Sequence, residues 1–207
     1  GPAGGRDADG APRFDQPVEP GAYLWWYVDA LSDDGRYGLT IIAFVGSVFS
    51  PYYRRAFLKG RGEPDNHCAL NVALYGPKRR WTMTERSRRS VQRDATQFTV
   101  GPSQLRWTGD CLEIDICEFA MPLPFPVRGR VRVYPASLTT FGVPLDAMAR
   151  HRWGPIAPCA RVEVALTHPA LRWQGHAYLD SNEGDEPIER AFREWDWSRA
   201  TLDDGST

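Results

Sequence analysis

This 207-residue chain is predicted to form an all-β fold, an antiparallel β-barrel or sandwich with few short helices. Three observations carry that prediction. Apolar and polar residues alternate with period two over many short runs, turn clusters separate those runs, and 17 prolines with 19 glycines leave little room for long helices. With 42% apolar and 12% aromatic residues, the chain can bury a sizeable core.

Taken in order, residues 1–20 are rich in Gly, Pro, Ala and Asp and are expected to form a flexible N-terminal arm. The main domain is expected over 21–200, with a flexible tail at 201–207. AYLWWYVDAL, DDG and RYGLTIIAFVG read as strand, turn and strand, the pattern of a hairpin. The second of these strands is apolar on both faces, so it should be covered on both sides, as by a barrel with an apolar lumen. HCALNVALYG, RWTMTER, SQLRWTG, CLEIDICEF, GRVRVYP, ARVEVALTH and LRWQGHAYLD supply further strands. In GRVRVYP, Val131 and Val133 face one way and Arg130 and Arg132 the other. Residues 121–127 carry alternate prolines, which cannot donate to a ladder, so they mark an edge, a corner or a polyproline-like crossing. Only PIERAFREWDW reads as a helix.

The net charge of −1 argues for no nucleic-acid partner. Locally, PKRRWTMTERSRRSVQR gathers Arg79, Arg80, Arg86, Arg88, Arg89 and Arg93 around Trp81. That run is either a hairpin with arginines on its wet face or a contact for phosphates or anionic lipid headgroups. Cys68, Cys111, Cys117 and Cys159 form no C-x-x-C pair and are expected as reduced thiols, with Cys111 and Cys117 leaning toward core packing. The start lacks the apolar region of a signal peptide, and LTIIAFVGSVF falls short of the ~20 residues of a membrane span, so a soluble or peripheral protein is expected.

No phosphate-binding glycine loop, nucleophile elbow or metalloprotease helix motif occurs, which argues against hydride and phosphoryl transfer. His67, His151, His168 and His176 lack the spacing of a local metal site, so no metal is expected. Glu113 and Asp115 share a strand face, either as wet exterior carboxylates or as a functional pair. Eight tryptophans exceed what core packing needs, and a long apolar or polyene ligand would fit the surplus. Trp25, Trp26 and Tyr27 are consecutive, so each strand face receives at least one of their rings. In QGHAYLDSNEG, His176, Tyr178 and Asp180 fall at every second position and share a face, as either a solvated strand face or an acid site.

Long stretches then point further. AYLWWYVDALSDDGRYGLTIIAFVGSVFSPYY, PDNHCALNVALYG, RWTMTER, DCLEIDICEFAMPLPFPVRGRVRVYP, HRWGPIAP and GHAYLDSNEGDEPIERAFREWDWSRA resemble the carotenoid 1,2-hydratases, or hydroxyneurosporene synthases. The resemblance runs over nearly all of residues 23–200. It implies a lipocalin-like fold of two tandem lobes related to tocopherol cyclases, of which this chain is expected to be the first, since family members continue well past EWDWSRA. It implies cofactor-independent addition of water to the terminal C1,C2 double bond of acyclic carotenoids such as neurosporene and lycopene. It further implies peripheral contact with the cytoplasmic side of the inner photosynthetic membrane of a phototrophic bacterium.

The family's proposed catalytic positions, a His-x-Trp pair and a Tyr-x-Asp pair, fall here on His151, Trp153, Tyr178 and Asp180. On this reading Asp180 is the proton donor, tempered by Tyr178 and His176 and placed by the SNEG turn at a strand end near a barrel mouth. Trp153 and the Tyr178 ring stabilise a tertiary cation, and His151 orients water as a general base. His176, Trp25, Trp26, Tyr27 and Trp173 are expected to line the substrate site. Two other readings stand beside it. One is an isoprenoid cyclase, in which an internal nucleophile quenches the cation. The other is a lipocalin-like carotenoid or lipid binder without chemistry.

Overall fold

A computed structural model describes residues 4–196 and 198–199. Its strands are β1 (Tyr23–Ser32), β2 (Gly38–Val45), β3 (Cys68–Tyr75), β4 (Arg80–Thr82), β5 (Glu85–Arg86), β6 (Val91–Arg93) and β7 (Gln97–Val100). They are followed by β8 (Ser103–Trp107), β9 (Leu112–Phe119), β10 (Pro126–Pro135), β11 (Val143–Pro144), β12 (His151–His168) and β13 (Ala170–Gly184). Neighbours pair antiparallel in the order β4-β3-β2-β1-β13-β12-β10-β9-β8-β7-β6, with β5 on β3 and β11 on β12.

The sheet curls into a half-barrel, and its β4 edge returns toward β9. Thr82 bridges Ala120, the Met121 amide donates to the Trp81 carbonyl at 2.8 Å, and Arg86 pairs with the buried Glu118 at 3.0 Å. The all-β expectation and the opening hairpin match this architecture. Val131 and Val133 point inward and Arg130 and Arg132 outward, as their alternation requires.

The inside of the curl is filled. Leu24, Trp26, Val28 and Ala30 of β1 meet Leu39, Ile41, Ala43 and Val45 of β2 and the inward residues of β9, β10 and β12. Phe98 packs its ring 5.7 Å from that of Trp26. Side chains thus take the place of the apolar lumen that the two-sided pattern of β2 suggested. The second cover over β2 is a smaller cluster on the outer face, formed by Tyr23, Trp25, Phe44 and Ala69 with Tyr27, Ile42, Val48 and Ile188 against it.

Three other expectations differ from the structure. The segment expected to be a flexible arm supplies part of the core: Phe14 is fully buried, 4.8 Å from the Trp26 ring, and the Gly5 carbonyl accepts from Trp26 Nε1 at 2.7 Å. Gly5 holds a φ of 77°, and a Cβ there would meet Trp26 Nε1 at 2.8 Å, so the close approach needs glycine. A polar composition with one large aromatic ring conceals such a contact. The helix is not at PIERAFREWDW, where among the described residues only a 3-10 turn over Ile188–Arg190 forms and Phe192 and Trp195 pack against the sheet instead. It is α1, Pro51–Leu58, whose start is marked by Ser50 accepting from the Tyr53 amide at 3.0 Å with Pro51 in the first turn. Lastly, β13 runs through SNEG to Gly184 rather than turning there, because both β1 and β12 pair with it to that residue.

The carboxylates Glu113 and Asp115 lie in an outer charge ladder. Arg132 donates to Glu113 at 2.9 Å and Arg130 to Asp115 at 2.6 Å, while hydrogen bonds from Arg106 and Arg132 hold Glu113 down to about 2. None of the four cysteines forms a disulfide among the described residues. The inward face of β9 belongs to Leu112, Ile114 and Ile116, so Cys117, one register off, is only half-buried.

Because Phe14 fills the core beside two rings, Phe14→Ala should cost about 3–5 kcal/mol in urea unfolding, the range for large aromatic truncations. A loss below about 1 kcal/mol would show that the N-terminal segment packs loosely.

Candidate active site

The outer face of the β1–β13–β12 ladder carries the residues with chemical potential. Tyr27 of β1 and Pro155 of β12 both pair with Asp180, so odd positions of β1 and β12 share a face with even positions of β13. Tyr23, Trp25, Tyr27, His151, Trp153, Tyr178, Asp180 and Asn182 therefore lie on one face, opposite the main core. Trp26 and Trp173 belong to the other face, packed into or against that core. They cannot line a site built around Asp180, and core packing accounts for them.

Asp180 is only 1% exposed. Trp153 Nε1 and the Tyr178 hydroxyl both donate to its Oδ2, at 2.9 and 3.0 Å, and Asn182 Nδ2 donates to Oδ1 at 3.2 Å. Burial pushes its carboxyl up to about 7, against the opposing effect of these three donors and of the nearby Arg6 cation. Arg6 reaches in from the N-terminal segment, its Nη1 held by the carbonyls of Thr139, Phe141 and Pro155 at 3.0, 2.8 and 3.0 Å. Burial together with the Asp180 charge raises the Tyr178 phenol, so that group stays a hydrogen-bond donor.

With two donors on Oδ2, the proton of a neutral Asp180 belongs on Oδ1. Asn182 Oδ1 is buried without a partner, and the amide turned over would present that oxygen to the proton. Parity alone could have found Asn182, which continues the series 176, 178, 180. Reading SNEG as a turn hid it.

His151 lies on the same face but four residues along β12 from Pro155, roughly 13 Å at strand spacing. It is fully buried, its Nδ1 shares a hydrogen bond with the Tyr23 hydroxyl at 2.8 Å, and its Nε2 lies 3.7 Å from Glu186. Burial lowers its pKa, which favours the neutral, proton-accepting imidazole. The expected quartet thus divides into Trp153, Tyr178 and Asp180 in direct contact, and His151 set apart beside Tyr23. His176 shares the parity of Tyr178, yet its side chain is 71% exposed, where β13 leaves the covered zone, and it sits beside Asp33 and Arg161. It does not reach Asp180.

The segment after β13 covers the face. Phe192 packs edge-on against His151 at 5.1 Å, Trp195 stands 6.2 Å from Trp25, and Trp25 stacks on Tyr23 at 4.9 Å. Arg199 pairs with Asp29 at 2.9 Å and lies 5.7 Å over the Tyr178 ring. Sequence reasoning missed Arg6, Tyr23, Asp29 and Arg199, since their relation to Asp180 exists only through strand pairing and chain termini meeting the sheet. Among the described residues no group of three or more His, Cys, Asp or Glu side chains could hold a metal, and no helix is long and apolar enough to cross a membrane.

A raised acid pKa destabilises the fold on ionisation. The native carboxyl binds its proton more tightly than the unfolded one, so this contribution falls as pH rises from about 4 to about 7. Asp180→Asn, which cannot ionise, should therefore gain stability on the parent as pH rises through that window, by a few kcal/mol in all, seen as a rising difference in Tm. A parent–variant difference that stays constant from pH 4 to 8 would refute the raised pKa.

Against known proteins, the family model described as carotenoid hydratase CrtC matches residues 41–207. An acyclic carotenoid 1,2-hydratase of Rubrivivax gelatinosus is 65% identical over 203 residues, covering 96% of this chain and 50% of that protein. Its counterpart from Thiocapsa roseopersicina is 57% identical over 208 residues, covering 100% of this chain and 51% of its own length. A solved AttH from Nitrosomonas europaea overlays 81% of this chain and 52% of its own, with a TM-score of 0.48 and 14% identity. The chain spans about half the length of the curated relatives it matches. By the family model and this level of identity, the chain belongs to the CrtC carotenoid hydratase family.

Proposed function

We propose that this chain carries the acid of a cofactor-independent hydratase that adds water across the terminal C1,C2 double bond of acyclic carotenoids. The single observation that supports it most is Asp180, a carboxyl 1% exposed and pushed up to about 7 among aromatic donors, in a chain of this family. An alkene is a weak base, so its protonation needs a neutral acid close to its face. A group that titrates near 7 keeps about half of its molecules neutral near pH 7 and still gives up its proton.

In the proposed reaction Asp180 transfers its proton to C2, and the π electrons form the new C–H bond. The cation left at C1 is tertiary. Water adds there, and the proton it sheds returns to the Asp180 carboxylate directly or passes by way of the neutral His151, which its distance allows to act only through water. Tyr178 and Trp153 hold Asp180 in place by hydrogen bonds. Their ring faces, with Tyr27 packed 6.5 Å from Tyr178, supply electron density to the cation. The substrate dissolves in bilayers, so the proposal includes peripheral contact with the cytoplasmic face of the membrane.

The test is incubation of the protein with lycopene in liposomes, anaerobically and without added cofactors, in water labelled with heavy oxygen. A product heavier by one or two labelled waters is expected. A cyclic product without label would indicate a cyclase, and bound but unchanged carotenoid a carrier. Turnover should fall as pH rises through about 7, because the acid form of Asp180 is the reactive one. Asp180→Asn should abolish hydration, and retention of more than about a tenth of the activity would remove it as the donor. Trp153→Phe keeps a ring but loses the N–H, so it should act more mildly than Trp153→Ala; equal effects would count against cation stabilisation.

A further inference from the structure

A short cationic helix stands beside the covered site. α1 sets Tyr52 and Leu58 72% and 74% exposed, and Phe49 just before it is 57% exposed. Tyr53 is the helix's buried anchor, its hydroxyl donating to the Ala22 carbonyl at 2.6 Å. Residues 50–61, SPYYRRAFLKGR, carry Arg54, Arg55, Lys59 and Arg61 and no acid. Arg54 meets Glu189 at 3.4 Å, and Arg190, paired with Glu186 at 3.6 Å, lies over the Phe57 ring at 5.4 Å, so the excess of cations comes from Arg55, Lys59 and Arg61. Exposed aromatic and aliphatic side chains beside an excess of cations are what a lipid–water boundary accepts: rings at headgroup depth, cations on phosphates.

Behind this helix lies a cavity of about 230 Å³, walled by Val48, Phe49, Phe57 and Ile188 and reaching the Tyr23 ring. Tyr23 in turn bonds His151 and stacks on Trp25. The cavity is thus a largely apolar recess, open beside α1 and ending one aromatic layer from the candidate catalytic face.

We propose that α1 is the surface by which this chain rests on an anionic lipid bilayer, with the recess behind it admitting the end of an apolar chain from that bilayer. The part concerning the recess rests on the function proposed above; the docking of α1 does not. The cationic face selects anionic lipid among possible occupants by charge complementarity. A second apolar surface, Trp81 with Phe119, Met121, Leu123 and Phe125, lies at the β9–β10 turn, toward the opposite ends of β12 and β13 from His151 and Gly184. It is the alternative the experiment must separate.

Co-sedimentation with vesicles of phosphatidylcholine and phosphatidylglycerol does so, with no carotenoid present and no turnover required. The chain should pellet with anionic vesicles and be released by salt. Tyr52→Ser with Leu58→Ser, and separately Arg55→Glu with Lys59→Glu, should each weaken partition by about tenfold or more, while Leu123→Ser with Phe125→Ser leaves it unchanged. The helix residues changed are all exposed, and circular dichroism verifies that each variant folds. A chain that stays in the supernatant, helix variants that bind as the parent does, or a loss confined to the β9–β10 variant would each overturn the proposal.

Discussion

Along Ala177–Gly184 of β13 the β1–β13–β12 ladder is buried on both faces, and the rest of the molecule is arranged to satisfy that constraint. Its inner face is covered by the curl of the sheet and by Phe14. Its outer face has no opposing sheet among the described residues, and Ile188, Phe192, Trp195 and Arg199 cover it. A strand face closed off in this way loses its water, and any ionisable group on it pays the desolvation cost. Asp180 stands at the middle of that face.

The surroundings of Asp180 hold its acidity between two extremes. Full burial without partners would carry a carboxyl far above neutrality and make it a feeble acid. Full pairing with Arg6 would keep it ionised and leave no proton to give. The structure instead supplies neutral donors at close range, from Trp153, Tyr178 and Asn182, and directs Arg6 Nη1 to backbone carbonyls. Trp153 reaches Asp180 from the partner strand, where it pairs with Asn182, which makes that bond a property of register: a one-residue slip of β12 would send Trp153 to the other face. The two bulges in β12, between Pro155 and Ala157 and between Ala157 and Ala160, lie just beyond this stretch, leaving residues 151–155 in regular pairing.

The chain ends contribute unequally to the two faces. The N-terminal segment serves the interior, with Phe14 in the core and Arg6 beneath Asp180, while the C-terminal segment serves the exterior, with Phe192 on His151 and Arg199 across Tyr178. The face that carries Asp180 thus lies under a thin aromatic cover, away from the core. Among the described residues that cover includes the single rings of Phe192 and Trp195 and the Arg199–Asp29 ion pair, in contrast to the interlocked interior.

Much was legible from the sequence alone because it rests on local rules. Period-two alternation sets strands and their inward faces, as Val131 and Val133 show, and the same parity puts Tyr178 and Asp180 on one side. The HRW and YLD motifs tied those positions to a family. Tertiary structure decided the rest. Parity says that His176 and Asp180 share a face, but only the extent of the cover makes one exposed and the other buried. It places Trp25 and Trp26 on opposite faces, but only the direction of curl decides which meets the core. Strand pairing brings Trp153 to Asp180 across 27 residues of chain and leaves His151 apart, and the two termini reach the site from 170 or more positions away. Side-chain alternation is fixed by covalent geometry within a few residues; the dielectric around a carboxyl is fixed by whatever segments the whole chain can fold over it.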